Sequence, residues 1–333
     1  MSNNINVGLR LHGGLDPHRC IALAKAAEAN NLASVWFAEN PFERGMLPAA
    51  AACAIATQRI RIGIGVWNPY TRHPSLIAME VAALDELARG RISLGIGSGL
   101  TSAIRKLELG HKPLAALADT FHIVRGMLRG EEVSHAGAVF QACGVKLGYR
   151  PLRPDMPILM AARGDKALAL CGRIADGLLV SNMCPPGFTA RARDIVRRAA
   201  GESGRPLPAT VVQYVPCIAS PDGAQARAAI KRTLAAMLRQ FWPIASAQSA
   251  MRHSAIPDAE LKAAVDRIGG GAPPESALDD RFIDAFAIAG TADECLGRIH
   301  AYARAGVTEL VLTFAGDDPF ADIACLGRAL RPG

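Results

Sequence analysis

The chain has 333 residues, 50% hydrophobic and 20% charged, with a formal net charge of +7 and a pI near 9.1. That is the composition of an ordinary globular chain, long enough for one large domain or two small ones. Its arginines are scattered, with Arg197-Arg198 the densest doublet, which argues against a nucleic-acid surface, and no apolar run approaches the roughly 18 residues of a membrane span.

The eight cysteines, at 20, 53, 143, 171, 184, 217, 295 and 325, form no CxxC pair. They read as small core residues of a reduced protein. The opening MSNNINVGLRL lacks a basic region followed by an apolar stretch, so no signal peptide is expected and the location implied is cytoplasmic.

In chain order, residues 5–11 read as a strand that ends at His12-Gly13-Gly14. Asp16-Pro17 opens a helix over 17–30, because an acidic N-cap before proline is a start signal. Residues 34–38 form a second strand, which delivers Glu39 and Asn40 to a loop that Pro41 bars from continuing as a central strand. A helix over 47–57 follows, then a strand over 61–66, whose isoleucines alternate with glycines. The helix over 74–88 directs Leu76, Ile77, Met79, Val81 and Leu84 inward. Residues 91–96 form strand four, and 114–129 an amphipathic helix.

The stretch 131–153 reads as an insertion with a hairpin around Ala136-Gly137. Strands over 157–162 and 177–181 flank a helix over 167–175. A basic helix over 188–201 precedes strand seven, 209–219, where Pro216 suggests a bend. A long helix over 221–238 leads into helical pieces between 240 and 290, a length that suggests a lid or insertion. The segment 290–294 caps a helix to 305, and a strand over 307–314 and a helix over 319–330 close the chain.

Short apolar strands alternating eight times with helices predict an α/β fold of the TIM (β/α)8 barrel type, one domain over 1–333 with insertions near 131–153 and 240–290. A doubly wound open sheet is the alternative, but no GxGxxG opens a helix with an acidic partner at the right distance. In a barrel the active face is built from residues just after each strand. Here they are His12, Glu39-Asn40, Trp67-Asn68, Ser98-Gly99, Arg163-Gly164 and Ser181 to Cys184. The set lacks a glycosidase carboxylate pair, a histidine cluster with metal-ligand spacing and GxSxG. Its glycines, amides and helix N-termini after strands four and five suit a planar, phosphate-bearing cofactor.

The runs GVWNPYTRHP, LDELARGRISLGIGSG, PILMAARGDKALALCGRIADGLLVSN and FAIAGTADEC together resemble the bacterial luciferase-like superfamily. Within it the chain is most similar to the branch that uses the deazaflavin coenzyme F-420, which includes methylenetetrahydromethanopterin reductases. The resemblance implies a non-prolyl cis peptide at Gly65-Val66, forming a bulge behind the cofactor ring. It implies that Asn40 and Asn68 lie beside the cofactor, Ser98 and Gly99 near its ribityl-phosphate region, and Ala161, Ala162, Arg163 and Gly164 at its phosphate, while Trp67 either faces cofactor or substrate or packs as an aromatic in a core bulge.

The chain also departs from the pattern. Deazaflavin enzymes commonly carry Asp-His after strand two, where this chain has Glu39-Asn40. Methanopterin-type reductases carry a glutamate in strand one, and residues 7–12 contain none.

Glu39 is placed either to act as an acid or hydrogen-bond partner or to anchor its loop, and His12 either to line the substrate pocket or to serve structure. Arg72 and His73 suit capping, Arg163 suits phosphate, and Cys184 suits a pocket wall. The expected activity is F-420-dependent hydride transfer to a small organic substrate. The alternatives are an FMN-dependent monooxygenase served by a separate flavin reductase, and a non-catalytic flavin-binding protein. A homodimer packed through early barrel helices, including 47–57, is implied, with no metal, nucleic-acid or membrane partner.

Overall fold

The computed structural model describes residues 5–330. The first half contains β1 (Asn6–Leu11), α1 (Pro17–Ala29), β2 (Ser34–Phe37), α2 (Met46–Ala56), β3 (Arg61–Trp67), α3 (Pro74–Leu87), β4 (Ile92–Ile96), α4 (Thr101–Lys106) and α5 (Pro113–Leu128). A hairpin of β5 (Val133–Ala136) and β6 (Gln141–Val145) follows, then β7 (Ile158–Ala161), α6 (Asp165–Ile174), β8 (Gly177–Val180), α7 (Pro186–Glu202) and β9 (Thr210–Ala219). Next come α8 (Gly223–Phe241), α9 (Ala245–Met251), α10 (Asp258–Gly269), α11 (Pro274–Ala277) and α12 (Asp280–Phe286). The chain closes with β10 (Ile288–Gly290), α13 (Ala292–Arg304), β11 (Glu309–Phe314) and α14 (Pro319–Ala329).

Eight parallel strands close a barrel in the order β1-β2-β3-β4-β7-β8-β9-β11, with β11 returning to β1. This is the predicted (β/α)8 architecture. The short β10 adds to the C-terminal end of β9 outside the ring. Pro216 lies between the stretch of β9 that pairs with β8, Thr210 to Gln213, and the stretch that pairs with β10, Cys217 to Ala219. A residue without an N–H is tolerated there because that side of β9 changes partner.

Several helix starts follow from sequence. Asp16 accepts the Arg19 N–H at the head of α1, and Thr291 and Glu294 form a reciprocal capping box on α13. On α3 the structure corrects one expectation: Ile77, Val81 and Leu84 are buried, whereas Leu76 and Met79 are 45% and 43% exposed. They lie on the far side of the helix from that buried stripe.

The interior of the barrel is filled from β2. Gly8 and Gly63 face inward, and a Cβ on Gly63 would lie 2.1 Å from the Trp36 ring. The glycines that alternate with Ile62 and Ile64 therefore leave room for an indole inside the ring, while both isoleucines are buried against the helices. Beneath the indole sits Glu309, 2% exposed. One of its oxygens accepts from Ser34 Oγ at 2.5 Å and Trp36 Nε1 at 2.8 Å, and the other from Arg61 Nη2 at 2.6 Å. A second core forms where α10, α11 and α12 pack on α8.

Removing the Glu309 carboxylate strips Ser34, Trp36 and Arg61 of an acceptor at once. Glu309→Ala is expected to lose about 3 kcal/mol, the low end for breaking a buried pair because the Arg61 side chain keeps 39% exposure. Urea denaturation followed by tryptophan fluorescence measures it, and an unchanged midpoint would refute the role of this network.

Candidate active site

The end of β3 shapes the mouth of the barrel. The Gly65–Val66 peptide is cis, as the resemblance implied, and the β3–β4 register slips between Gly65 and Trp67. Val66 is the extra residue, and its side chain packs inward with the cluster of Trp36, Leu159, Leu179 and Tyr214. The neighbouring strand yields to it, since a Cβ on Gly97 would lie 2.8 Å from Val66 Cγ2.

From across the barrel, the Tyr214 hydroxyl donates to Gly65 O at 2.8 Å. Burial raises the phenol pKa, which keeps this group a donor. A Cβ on Gly65 would lie 1.9 Å from the same hydroxyl, so Gly65 is closed off by protein and reaches the mouth only through its backbone. Trp67 is turned the other way, 1% exposed in the core outside the barrel, which is the core placement of its two readings and not the cofactor-facing one.

Beyond the bulge, Asn68 and Glu39 form one wall. Glu39 Oε2 accepts from Asn68 N at 3.1 Å and from Thr71 Oγ1 at 2.9 Å. Burial is the largest influence on its carboxyl and raises its pKa, against the lowering by Thr71, Asn68 and Arg72. The Asn68 side chain accepts the Tyr70 N–H at 3.0 Å, which leaves its buried Nδ2 without a protein acceptor. A Cβ on Gly99, whose φ is +69°, would lie 2.4 Å from that nitrogen. Glu39 and Asn40 also border a cavity of about 420 Å³ flanked by Tyr70, Leu107 and Leu109.

The opposite wall begins at the end of β7. Ala161 packs beside Val66 inside the barrel, and Ala162 is 7% exposed. Arg163 lays its guanidinium 5.5 Å from the Phe241 ring centroid, with Nε and Nη1 buried and unpartnered. Burial lowers its pKa, partly offset by Cys184. Gly164 is the N-cap of α6 with no side-chain cap bond, and open space lies where its Cβ would be. The first carboxylate of that helix, Asp165, is neutralised by a two-pronged pair with Arg191 at 2.8 and 2.7 Å. The Asn182 Oδ1 is a further buried atom without a partner.

Other expected residues are committed locally. His12 is exposed, and its Nδ1 accepts the Gly14 N–H at 3.1 Å. Asn40 donates to Glu43 at 2.9 Å, and His73 caps α3 while Arg72 pairs with Glu80. Ser98 is half-buried with no side-chain hydrogen bond within the chain, and the helix after it, α4, has only six residues. The Cys184 thiol is pushed up to about 12 by burial, which removes it as a nucleophile.

Three groups at the mouth escaped the sequence reading, namely Arg10, Tyr214 and Thr313. Each lies inside a strand rather than after it. A charge at the fifth position of an otherwise apolar strand was the available signal for Arg10.

The family profile described as luciferase-like monooxygenase matches residues 4–309. A 5,10-methylenetetrahydromethanopterin reductase of Methanolobus tindarius is 30% identical over 292 residues, covering 86% of this chain and 87% of that protein. The solved coenzyme F-420-dependent tetrahydromethanopterin reductase of Methanopyrus kandleri superposes with a TM-score of 0.84 at 25% identity, covering 98% of each chain. An FMN-bound type II Baeyer–Villiger monooxygenase component from Pseudomonas putida shares the fold at TM-score 0.72 and 17% identity, covering 98% of this chain and 96% of that one.

The raised Glu39 pKa has a consequence for stability. A carboxyl that holds its proton to higher pH when folded than when unfolded weakens the fold once ionised, and the penalty disappears as pH falls through the folded pKa towards the ordinary 4.5. Glu39→Gln retains an acceptor for Asn68 and Thr71 without the charge. It should therefore stabilise the protein at neutral pH and lose that advantage near about pH 4.5 in denaturant titrations. An advantage that grows on acidification would contradict this.

Proposed function

The chain belongs to the luciferase-like monooxygenase family, and on that premise we propose that it is an oxidoreductase transferring hydride between coenzyme F-420 and a small organic substrate. The observation that carries the choice of a phosphate-bearing cofactor is Arg163. Its two unpartnered nitrogens stand beside the uncapped N-terminus of α6, an arrangement that suits a phosphate. Similarity along nearly the whole chain to an F-420-dependent reductase favours the deazaflavin over FMN, because the FMN-bound neighbour shares only the fold.

When bound, the cofactor supplies a two-electron hydride donor or acceptor at its ring. In this reading Val66 and the Gly65 carbonyl, fixed by Tyr214, back the ring. Asn68 Nδ2 offers its free donor to the ring edge, and Gly97 and Gly99 keep the β4 end low enough for close approach. Arg163 and the N–H groups of Gly164 and Asp165 hold the phosphate. Glu39, whose burial favours the protonated form, is the acid beside the reacting atoms, in preference to the exposed His12.

The reading extends to a cytoplasmic homodimer. Ile55 on α2 is 65% exposed and Leu87 on the adjacent α3 is 44% exposed, and with Leu76 and Met79 they form an apolar face suited to a second copy. Among the described residues no helix is long and apolar enough to cross a membrane.

Titration of the purified protein with F-420 and with FMN, oxidised and reduced, tests the cofactor. Micromolar F-420 binding without FMN binding is expected. FMN binding with oxygen consumption would replace the reading by a monooxygenase, and stoichiometric binding without turnover by a carrier. Arg163→Gln should weaken F-420 binding about 10- to 100-fold, the worth of a charged hydrogen bond. Light scattering should return twice the 35.1 kDa chain mass, falling to one chain in Leu76→Glu.

A further inference from the structure

β1 turns Gly8 and Arg10 into the barrel while Val7, Leu9 and Leu11 are buried in the outer core. Arg10 is in register with Trp36 on β2, and because Leu9 pairs with Leu312, the next inward neighbour on β11 is Thr313. The Arg10 guanidinium carbon stands 5.1 Å from the centroid of Tyr214, the ring whose hydroxyl holds Gly65 O. Arg10 is therefore at the height of the peptide bulge, on the inner wall of the mouth.

This guanidinium has no counter-ion of its own. Its Nε is buried without an acceptor, and among the described residues no carboxylate lies within ion-pair distance. The acid nearest in influence, Glu43, accepts instead from Asn40. Thr313 Oγ1 next to it is likewise buried and unpartnered. Burial also lowers the Arg10 pKa, in keeping with a cation set in a desolvated place. Arg10 is half-buried as a whole with its Nε enclosed; an enclosed N–H of a cation left without a partner is costly, whereas one completed by a ligand is a recognition device.

We propose that Arg10 and Thr313 form a carboxylate subsite at the barrel mouth, so that the substrate is a small organic acid held by its carboxylate. A planar two-pronged donor with one adjacent hydroxyl matches the two coplanar oxygens of a carboxylate, and the Trp36 and Tyr214 rings supply an organic wall around it. The assignment rests on the reading that the barrel mouth receives the substrate, and it names the class of that substrate.

Calorimetric titration with benzoate and acetate, each against its uncharged amide, tests it on the unloaded and the F-420-loaded protein. The carboxylates should bind at least about tenfold tighter than the amides, the worth of one charged hydrogen bond. Arg10→Gln should abolish that preference without changing F-420 affinity, and Arg10→Lys and Thr313→Val should each retain part of it.

Equal binding of acids and amides to the unsubstituted protein would overturn the proposal while leaving the cofactor assignment intact. So would a loss of F-420 affinity in Arg10→Gln with the carboxylate preference preserved, which would give the guanidinium to the cofactor, or inorganic phosphate outcompeting benzoate at Arg10. Should F-420 itself fail to bind, the cofactor reading falls alone, and the titrations of the unloaded protein still decide the subsite.

Discussion

The active face depends on how the inside of the barrel is filled. Trp36 occupies the ring because Gly63 and Gly65 give up their side chains around it, and because Glu309 and Ser34 Oγ accept its buried indole N–H. A polar floor of this kind is stable when every donor is satisfied, and here Ser34, Trp36 and Arg61 share the two oxygens of one carboxylate. On that floor rests Tyr214, edge-on to Trp36 at 6.3 Å, and Tyr214 fixes the Gly65 carbonyl. The bulge that shapes the mouth is thus tied by two aromatic layers to an ion pair at the opposite end of the barrel.

The positive charge of the chain divides into two populations by partner. Arg125 and Arg205 clamp Asp176, Arg153 grips Asp85 and the Ile92 carbonyl, and Arg191 neutralises Asp165. These pairs pin loops and helix ends and leave little field of their own. Arg10 and Arg163 differ in having no carboxylate partner: each is stacked on an aromatic ring at the C-terminal mouth with a buried nitrogen that lacks an acceptor. A net charge that gave no nucleic-acid surface in the sequence is consistent with anionic ligands once these two are located.

The fold was legible because strand and helix periods alternate cleanly and because start signals such as Asp16-Pro17 and Thr291 to Glu294 are local chemistry. The helix α4 and the three-residue β10 are too short to carry a period. Collecting residues after each strand found Glu39, Asn68 and Arg163, which loops carry to the mouth. It passed over Arg10, Tyr214 and Thr313, since a strand interior shows its inward residues only once the closed ring defines an inside. For Trp67 the choice between mouth and core was open for a related reason. Simple alternation from Gly63 and Gly65 puts it inward, but the bulge gives that direction to Val66 and reverses the order beyond it.

Among the described residues, eleven hold a buried polar side-chain atom without a partner, and five of these, Arg10, Asn68, Arg163, Asn182 and Thr313, stand around one opening, whereas the floor of the barrel is fully paired. Each such group costs free energy in the protein alone, and the five about the mouth are the ones a bound ligand can reach and satisfy. Their chemistry is also divided: two guanidiniums on opposite walls, an amide donor between them, and a carboxyl whose burial favours its proton. A phosphate-bearing cofactor accounts for the Arg163 wall and the Asn68 donor. It leaves the guanidinium on β1 unanswered, and that residue of unmet charge is what gives the second ligand its sign.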